Sequence, residues 1–266
     1  MKAIWKRELT SLFHNVIAWL FLGVTLFLFG LYFFVYNLSY GYPYIAYSLS
    51  AISFIFLITV PVLTMRVLAE ERRARTDQLL LTSPVSVGKI VFGKFLALAT
   101  IYTISVLVIC IAPVVLLLFG EIPVLETYVA IFGFWLYGLA CIAIGEFVSS
   151  LTESQVISAV ITFALLFGGY MMQSITGLIS SSGNLLTRIL GCYDLLSPLE
   201  DLMSGSFSLT AVVYYLSLIG LCLFLTTQVI QKRRWTVSRK KISLSVFSVG
   251  TVAAGMAIVV ALNAGM

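Results

Sequence analysis

Charge is scarce in this chain of 266 residues: 10% of them are Asp, Glu, Lys or Arg, while 61% are hydrophobic. Soluble domains carry about 25% charged and about 45–50% apolar residues, so the composition excludes an ordinary water-soluble protein. Catalytic vocabulary is equally thin. His14 is the single histidine and has no metal-ligand companion. Of four cysteines, Cys110, Cys141 and Cys222 fall within apolar runs and Cys192 stands alone in a polar stretch, which implies no internal disulfide framework. The phosphate-cradling pattern GxxxxGK[ST] is absent, because Gly88-Lys89-Ile90 and Gly93-Lys94-Phe95 lack the hydroxyl residue and the preceding glycine spacing. Neither HExxH nor GxSxG occurs. Nucleotide hydrolysis, zinc hydrolysis and serine-hydrolase chemistry have no motif here.

What charge there is has been sorted. Every one of the 16 Lys and Arg residues except Arg188 belongs to three short clusters. These are Lys2, Lys6 and Arg7; then Arg66, Arg72, Arg73, Arg75, Lys89 and Lys94; then Lys232, Arg233, Arg234, Arg239, Lys240 and Lys241. Long apolar runs separate them. A cation at mid-membrane costs roughly 2.5–3.5 kcal/mol on insertion scales, and basic segments stay on the cytoplasmic side. The net charge of +5 is therefore juxtamembrane charge and not a nucleic-acid footprint, with lipid as the surrounding partner. The basic start followed by an apolar run imitates a signal peptide. However, Val16 to Tyr36 is too long for its apolar core, and no small-residue cleavage site follows.

A bilayer core of about 30 Å takes about 20 apolar residues of helix. No Asp, Glu, Lys or Arg occurs between Glu8 and Arg66, which leaves room for two spans broken at the tyrosine-rich turn Asn37 to Pro43. The spacing predicts spans near 16–36, 45–67, 95–119, 124–148, 155–179 and 207–230. The loops left outside hold Glu121, Glu126, Asp194, Glu200 and Asp201 against Arg188. The loop from Ser149 to Ser154 has no Lys or Arg, so its cytoplasmic side follows only from counting. Residues 236–266 comprise a basic linker and the charge-free stretch Ile242 to Met266. That stretch reads as a seventh span or as the start of a fused auxiliary domain. The fold class is an all-α polytopic membrane protein.

Four segments draw attention. In residues 1–15, Trp5, Leu9, Leu12, Phe13 and Val16 share one helical face opposite Lys2, Lys6, Arg7, Thr10 and Ser11. This suits a helix lying in the inner membrane surface and bending near His14-Asn15, the alternative being an unstructured basic flank. From Arg66 to Lys94, the i,i+4 pairs Glu71–Arg75 and Arg73–Asp77 predict that the second span continues out of the membrane. Leu79-Leu80-Leu81 follows, then Ser83 as an N-cap and Pro84 opening a helix into the third span. Such a hairpin suits docking of another protein; a bare solvated loop needs only the positive charges. Glu146 lies near the inner end of the fourth span, where it reaches interfacial water or lines a path. Gln173 and Ser174, near the outer end of the fifth, either line a path or hydrogen-bond neighbouring helices.

The stretch MRVLAEERRARTDQLLLTSPVSVGKIVFGKFLA at 65–97 resembles the equivalent loop of ABC-2 type transporter permeases, more narrowly the gliding-motility and nitrous-oxide-accessory branch. Similar in the same order are KRELTSLFHNVIAWLFLGVTLFLFGLYF at 6–33, GEFVSSLTESQVISAVITFALL at 145–166, LLSPLEDLMSGSFSLTAVVYYLSL at 195–218 and KRRW at 232–235. The resemblance implies an interfacial helix at 1–15 and a six-helix permease domain at 16–235. It implies a prokaryotic cytoplasmic membrane with the N-terminus inside, and dimerisation with a second copy or a similar permease. Two cytoplasmic ABC ATPase subunits would dock on residues 70–92, with ATP and Mg bound there and no cofactor on this chain. On that mapping the ATPase interface comprises Glu70, Glu71, Arg72, Arg73, Arg75, Asp77, Leu79, Leu80, Ser83 and Lys89. Residues 180–206 would be an outer re-entrant region, and Glu146, Gln173 and Ser174 the residues of a translocation path. Glu146 departs from the family's pattern, which is apolar there. The tail resembles the first span of the auxiliary extracytoplasmic subunit that often accompanies gliding-type permeases. The expected function is the permease subunit of an exporter. Its competitors are a membrane scaffold that transports nothing and a lipid-modifying enzyme built on Asp194, Glu200 and Asp201.

Overall fold

Long runs of Leu, Ile, Val and Phe without charge have one way to satisfy their backbone in hydrocarbon, which is to close every hydrogen bond within a helix. A computed structural model of the chain describes residues 2–74, 86–120, 122–179 and 193–235, and all their regular structure is helical. In chain order the helices are α1 (Lys2–His14), α2 (Val16–Phe33), α3 (Ala46–Thr64), α4 (Ala69–Arg73), α5 (Val87–Ile109), α6 (Ala112–Leu117), α7 (Val124–Leu151), α8 (Gln155–Ile179), α9 (Ser197–Met203) and α10 (Leu209–Trp235). Six stretches are long and apolar enough to span a membrane: 16–39, 46–73, 87–117, 124–151, 155–174 and 209–232. The described end of the bundle that carries Lys6, Arg7, Arg66, Arg72, Arg73, Lys89 and Lys232 is here the basic end, and the other the acidic end.

Helix α7 is the axis of the bundle. It packs against α3, α5, α8, α9 and α10, and its inner two-thirds is buried almost without interruption. Close approach needs small residues on it. At Gly138 a methyl group would sit 2.3 Å from Cζ of Tyr102. That ring, fully buried, donates its hydroxyl to the Phe134 carbonyl at 2.6 Å and lies edge-on to Phe56. Tyr137 and Tyr215 likewise bury their rings and donate to the carbonyls of Ser53 and Leu195, at 3.4 and 2.9 Å. Aromatic bulk thus fills the core while each hydroxyl finds a backbone acceptor, as burial requires.

At the acidic end, α2 runs into a π-helical turn over Phe34–Ser39. Buried Asn37 there donates to the carbonyls of Tyr42 (2.8 Å) and Tyr44 (3.2 Å) and accepts from Ser48 Oγ (2.8 Å). The segment before α9 docks on α8 through Leu195 N to Gly169 O at 3.1 Å. Leu195, Leu199 and Leu202 are fully buried. Asp194 accepts from the Leu196 and Ser197 amides and from Ser197 Oγ, so its carboxylate serves the start of α9. Of the proposed re-entrant region, 180–192 lies outside the described residues, as do 236–266.

Several boundaries differ from the sequence reading. The third span begins at Val87, not Phe95, and Ser86 in extended backbone precedes it. Ser83 and Pro84, read from sequence as the cap and first residue of a helix leading into this span, lie outside the described residues. The second span does not continue as one helix either. It stops at Thr64, turns over Met65–Leu68 and resumes as α4. Ser149 Oγ of α7 makes that break tolerable: it accepts from the amides of Leu68 (3.2 Å) and Ala69 (3.1 Å) and donates to the Met65 carbonyl (3.3 Å). Val16, expected on the apolar face of α1, is 74% exposed, because the bend at Asn15 turns it into α2.

Candidate functional site

Helix α1 lies along α5, with Leu9, Leu12 and Phe13 against the core. Trp5 Nε1 donates to Thr100 Oγ1 at 3.1 Å. The polar edge of α1 then brings Glu8 to Lys94, which is 1% exposed. Lys94 Nζ has three protons to place and three acceptors: Glu71 Oε1 of α4 at 2.8 Å, Glu8 Oε2 at 3.2 Å and the Val67 carbonyl at 3.2 Å. Arg7 closes the cluster, 2.6 Å from Glu8 and 3.8 Å from Glu71. Two cations and two carboxylates thus tie α1, α4 and α5 together at the basic end. A buried pair of this kind adds little net stability compared with apolar packing, but breaking it leaves a buried charge uncompensated. Its structural effect is to set where α1 and α4 sit.

Burial works against ionising Glu8, yet the Lys94 charge and the hydrogen bonds from Arg7 and Lys94 outweigh it and hold the carboxyl below its usual value. A depressed carboxylate stabilises the fold above its unfolded pKa of about 4.3 and ceases to do so as the pH falls through its lower folded value. Docking of α1 is therefore expected to be constant through neutral pH and to loosen only in acid, below about pH 4. Amide exchange across residues 2–14 against pH checks this, and Glu8→Gln should exchange fast at every pH.

The neighbouring positions take up other bonds. Glu70 receives a bidentate pair from Arg66, both contacts at 2.7 Å. Arg72 reaches the loop after α7, at 3.1 Å from Glu153 and 2.5 Å from the Leu151 carbonyl, so that loop sits beside α4 at the basic end. Glu71 and Arg72, assigned from sequence to a partner-facing surface, are thus engaged within the chain, because other helices and loops supply their counter-charges: Lys94 of α5 and Arg7 of α1 for Glu71, and Glu153 for Arg72. Arg73 and Lys89 are exposed. Arg75, Asp77, Leu79, Leu80 and Ser83 lie outside the described residues.

The three path candidates are not brought together. Gln173 and Ser174 are exposed toward the acidic end, with Gln173 Nε2 3.5 Å from Glu200. They lie about 27 Å along α8 from its start at Gln155, at the helical rise per residue. Glu146 belongs to the basic end and is 0% exposed. That burial corrects its placement at the membrane interface: α7 is buried at every position from Leu136 to Glu146.

Lys94, Glu8, Arg66 and Ser149 are the members that sequence reasoning missed. For Lys94 a signal exists: Val87, Ile90, Val91, Leu98 and Ile101 form a buried stripe at i, i+3, i+4, i+11 and i+14, and Lys94 occupies i+7. A cation inside an apolar stripe must bring its own anions.

A bundle of six apolar spans with a balanced ion cluster at one end is a multi-pass membrane protein. The model of the ABC-2 family transporter proteins matches residues 35–229, most of the chain, which therefore belongs to the ABC-2 transporter family. No curated protein matches the chain. Membership makes it the membrane component of an ABC transporter, a transport part and not a catalytic one, and implies an ABC ATPase as its partner. Glu71, Lys94 and Glu146 lie inside the matched range; Glu8 and α1 precede it.

Proposed function

We propose that this chain is the permease subunit of an exporter of the gliding-motility and nitrous-oxide-accessory type. It sits in the cytoplasmic membrane with its basic end inside, pairs with a second copy or a similar permease, and couples ATP hydrolysis on separate subunits to translocation. The ATPase docks on the hairpin within residues 70–92. The ion cluster on Lys94 carries this reading. A push on the hairpin is delivered through Glu71 to an ammonium anchored in the third span and, through Glu8, to α1. Short hydrogen-bonded contacts between helices pass on displacement with little loss, whereas a solvated loop would absorb it. Exposed Arg73 and Lys89 remain available to meet acidic groups on the motor.

Charge reversal tests the docking. Arg73→Glu with Arg75→Glu should cut co-purification of the ATPase at least tenfold while leaving membrane insertion unchanged. Co-purification at full yield would move the docking surface elsewhere.

A further inference from the structure

Glu146 is the most anomalous side chain in the protein. It is completely buried, and neither carboxylate oxygen has a hydrogen-bond partner among the described residues. Buried carboxylates in proteins are paired, hydrogen-bonded or neutralised, and a second copy of the chain could only bury this one further.

Its surroundings supply a cation that is currently occupied elsewhere. Glu146 stands one turn before Ser149, the residue that holds the break at Met65–Leu68. Beside it, Gly145 meets Thr64 so closely that a methyl group would lie 2.3 Å from Oγ1. Lys94 reaches the same break through the Val67 carbonyl. The two residues therefore flank one short stretch of chain, and the charges of Lys94 and Glu8 both act on Glu146. The groups facing this region are Lys94 from α5, Glu8 and Arg7 from α1, Glu71 from α4 and the Cys222 thiol from α10. Lys94 already has two carboxylates. A third ionised one would leave the buried cluster with excess negative charge.

We propose that Glu146 is a proton-binding site: its carboxyl holds a proton while Lys94 is tied to Glu8 and Glu71, and gives that proton to water that enters the space Glu71 leaves when it withdraws and the Lys94 ammonium turns to Glu146. Charge balances throughout. One proton leaves, Glu71 becomes a solvated carboxylate, and the buried ammonium keeps an anionic partner. Proton occupancy at rest stands independently of the ATPase-docking proposal. Only the release step rests on hairpin movement, so the two ideas fail separately.

Infrared titration of the purified full-length chain in lipid nanodiscs, with no ATPase present, reads the site directly. The carbonyl band of a protonated carboxyl is expected at neutral pH and should vanish in Glu146→Gln. Glu146→Asp, which shifts the band without removing the group, assigns it if the glutamine variant does not fold. Glu71→Gln frees Lys94 and should make Glu146 ionise at about tenfold or more higher proton concentration, the usual effect of a nearby opposite charge. Lys94→Gln should shift ionisation the other way. A band that persists in Glu146→Gln, or its absence from the wild type at neutral pH, overturns the site. A titration unchanged by Glu71→Gln overturns the exchange of partners.

Discussion

Lys94→Met is expected to be among the most damaging single substitutions in this protein, costing about 3 kcal/mol. Methionine fills a similar volume, so the loss is not one of packing. The change takes the ammonium, at 2.8 and 3.2 Å, from two carboxylates with side-chain exposures of 22% for Glu71 and 15% for Glu8, and leaves the cluster with Arg7 against two negative charges. Both lie at the rim and can hydrate after modest movement, which puts the cost at the low end of the range for a broken buried pair. That movement is the useful signature. Amide exchange should rise in α1 and α4 together and stay flat in α7. Lys89→Met, on the exposed face of the same helix, serves as control. Combining Lys94→Met with Glu71→Gln should restore part of the loss, since the second change removes one stranded charge. Equal melting temperatures for the Lys94 and Lys89 variants would mean that the cluster positions nothing.

The second large effect is expected at Gly138→Val. Even the first added carbon falls 2.3 Å from Tyr102 Cζ and 2.5 Å from its hydroxyl oxygen, and the ring has no room to retreat between Phe56 and Phe134. Either α7 moves off α5, or Tyr102 swings away and gives up its 2.6 Å bond to the Phe134 carbonyl. Overpacking costs about 1–3 kcal/mol, and a Tyr102 hydroxyl left without its acceptor adds about 1–3 kcal/mol, so a loss near 3 kcal/mol or above is expected. Folded yield in detergent should fall sharply. Gly168→Val, where nothing among the described residues lies within 4 Å of an added carbon, should be tolerated, and Tyr102→Ala should rescue Gly138→Val in part by vacating the contested space. Absence of rescue would separate the Gly138 effect from this contact.

Hydrophobic run length was enough to read the six spans, because a span is a local property: about 20 residues without charge either cross a bilayer or do not. The turn at Asn37 was legible for the same reason. Boundaries facing the ion cluster were not. Lys94 pulls the reading toward a loop, since a lysine flanked by Lys89 looks solvated, and the third span consequently starts two turns earlier than charge alone suggests. The helix break at Met65 depends on one hydroxyl, Ser149, more than 80 positions away. No local pattern announces a donor and acceptor supplied from another helix.

Of the candidate site, the stretch from Arg66 to Lys94 was found, but its charges were paired only along the helix, and the partners that Glu71 and Arg72 find on other elements went unread. Glu71, read from sequence as the i,i+4 partner of Arg75, which lies outside the described residues, is also the partner of Lys94 on another helix. Exposed i,i+4 pairs contribute a few tenths of a kcal/mol, whereas a fully desolvated ammonium requires partners, and the larger demand decides the packing.

Sequence by itself determined that this chain lies in a membrane, that residues 16–230 hold six stretches able to cross it, and which ends of the crossings carry cations, because each follows from transferring short segments between water and hydrocarbon. Tertiary structure alone decided which carboxylates Lys94 holds and which, Glu146, it leaves bare. Electrostatics in a low-dielectric interior depends on ångström distances between helices remote in sequence, and those distances exist only once the bundle has packed.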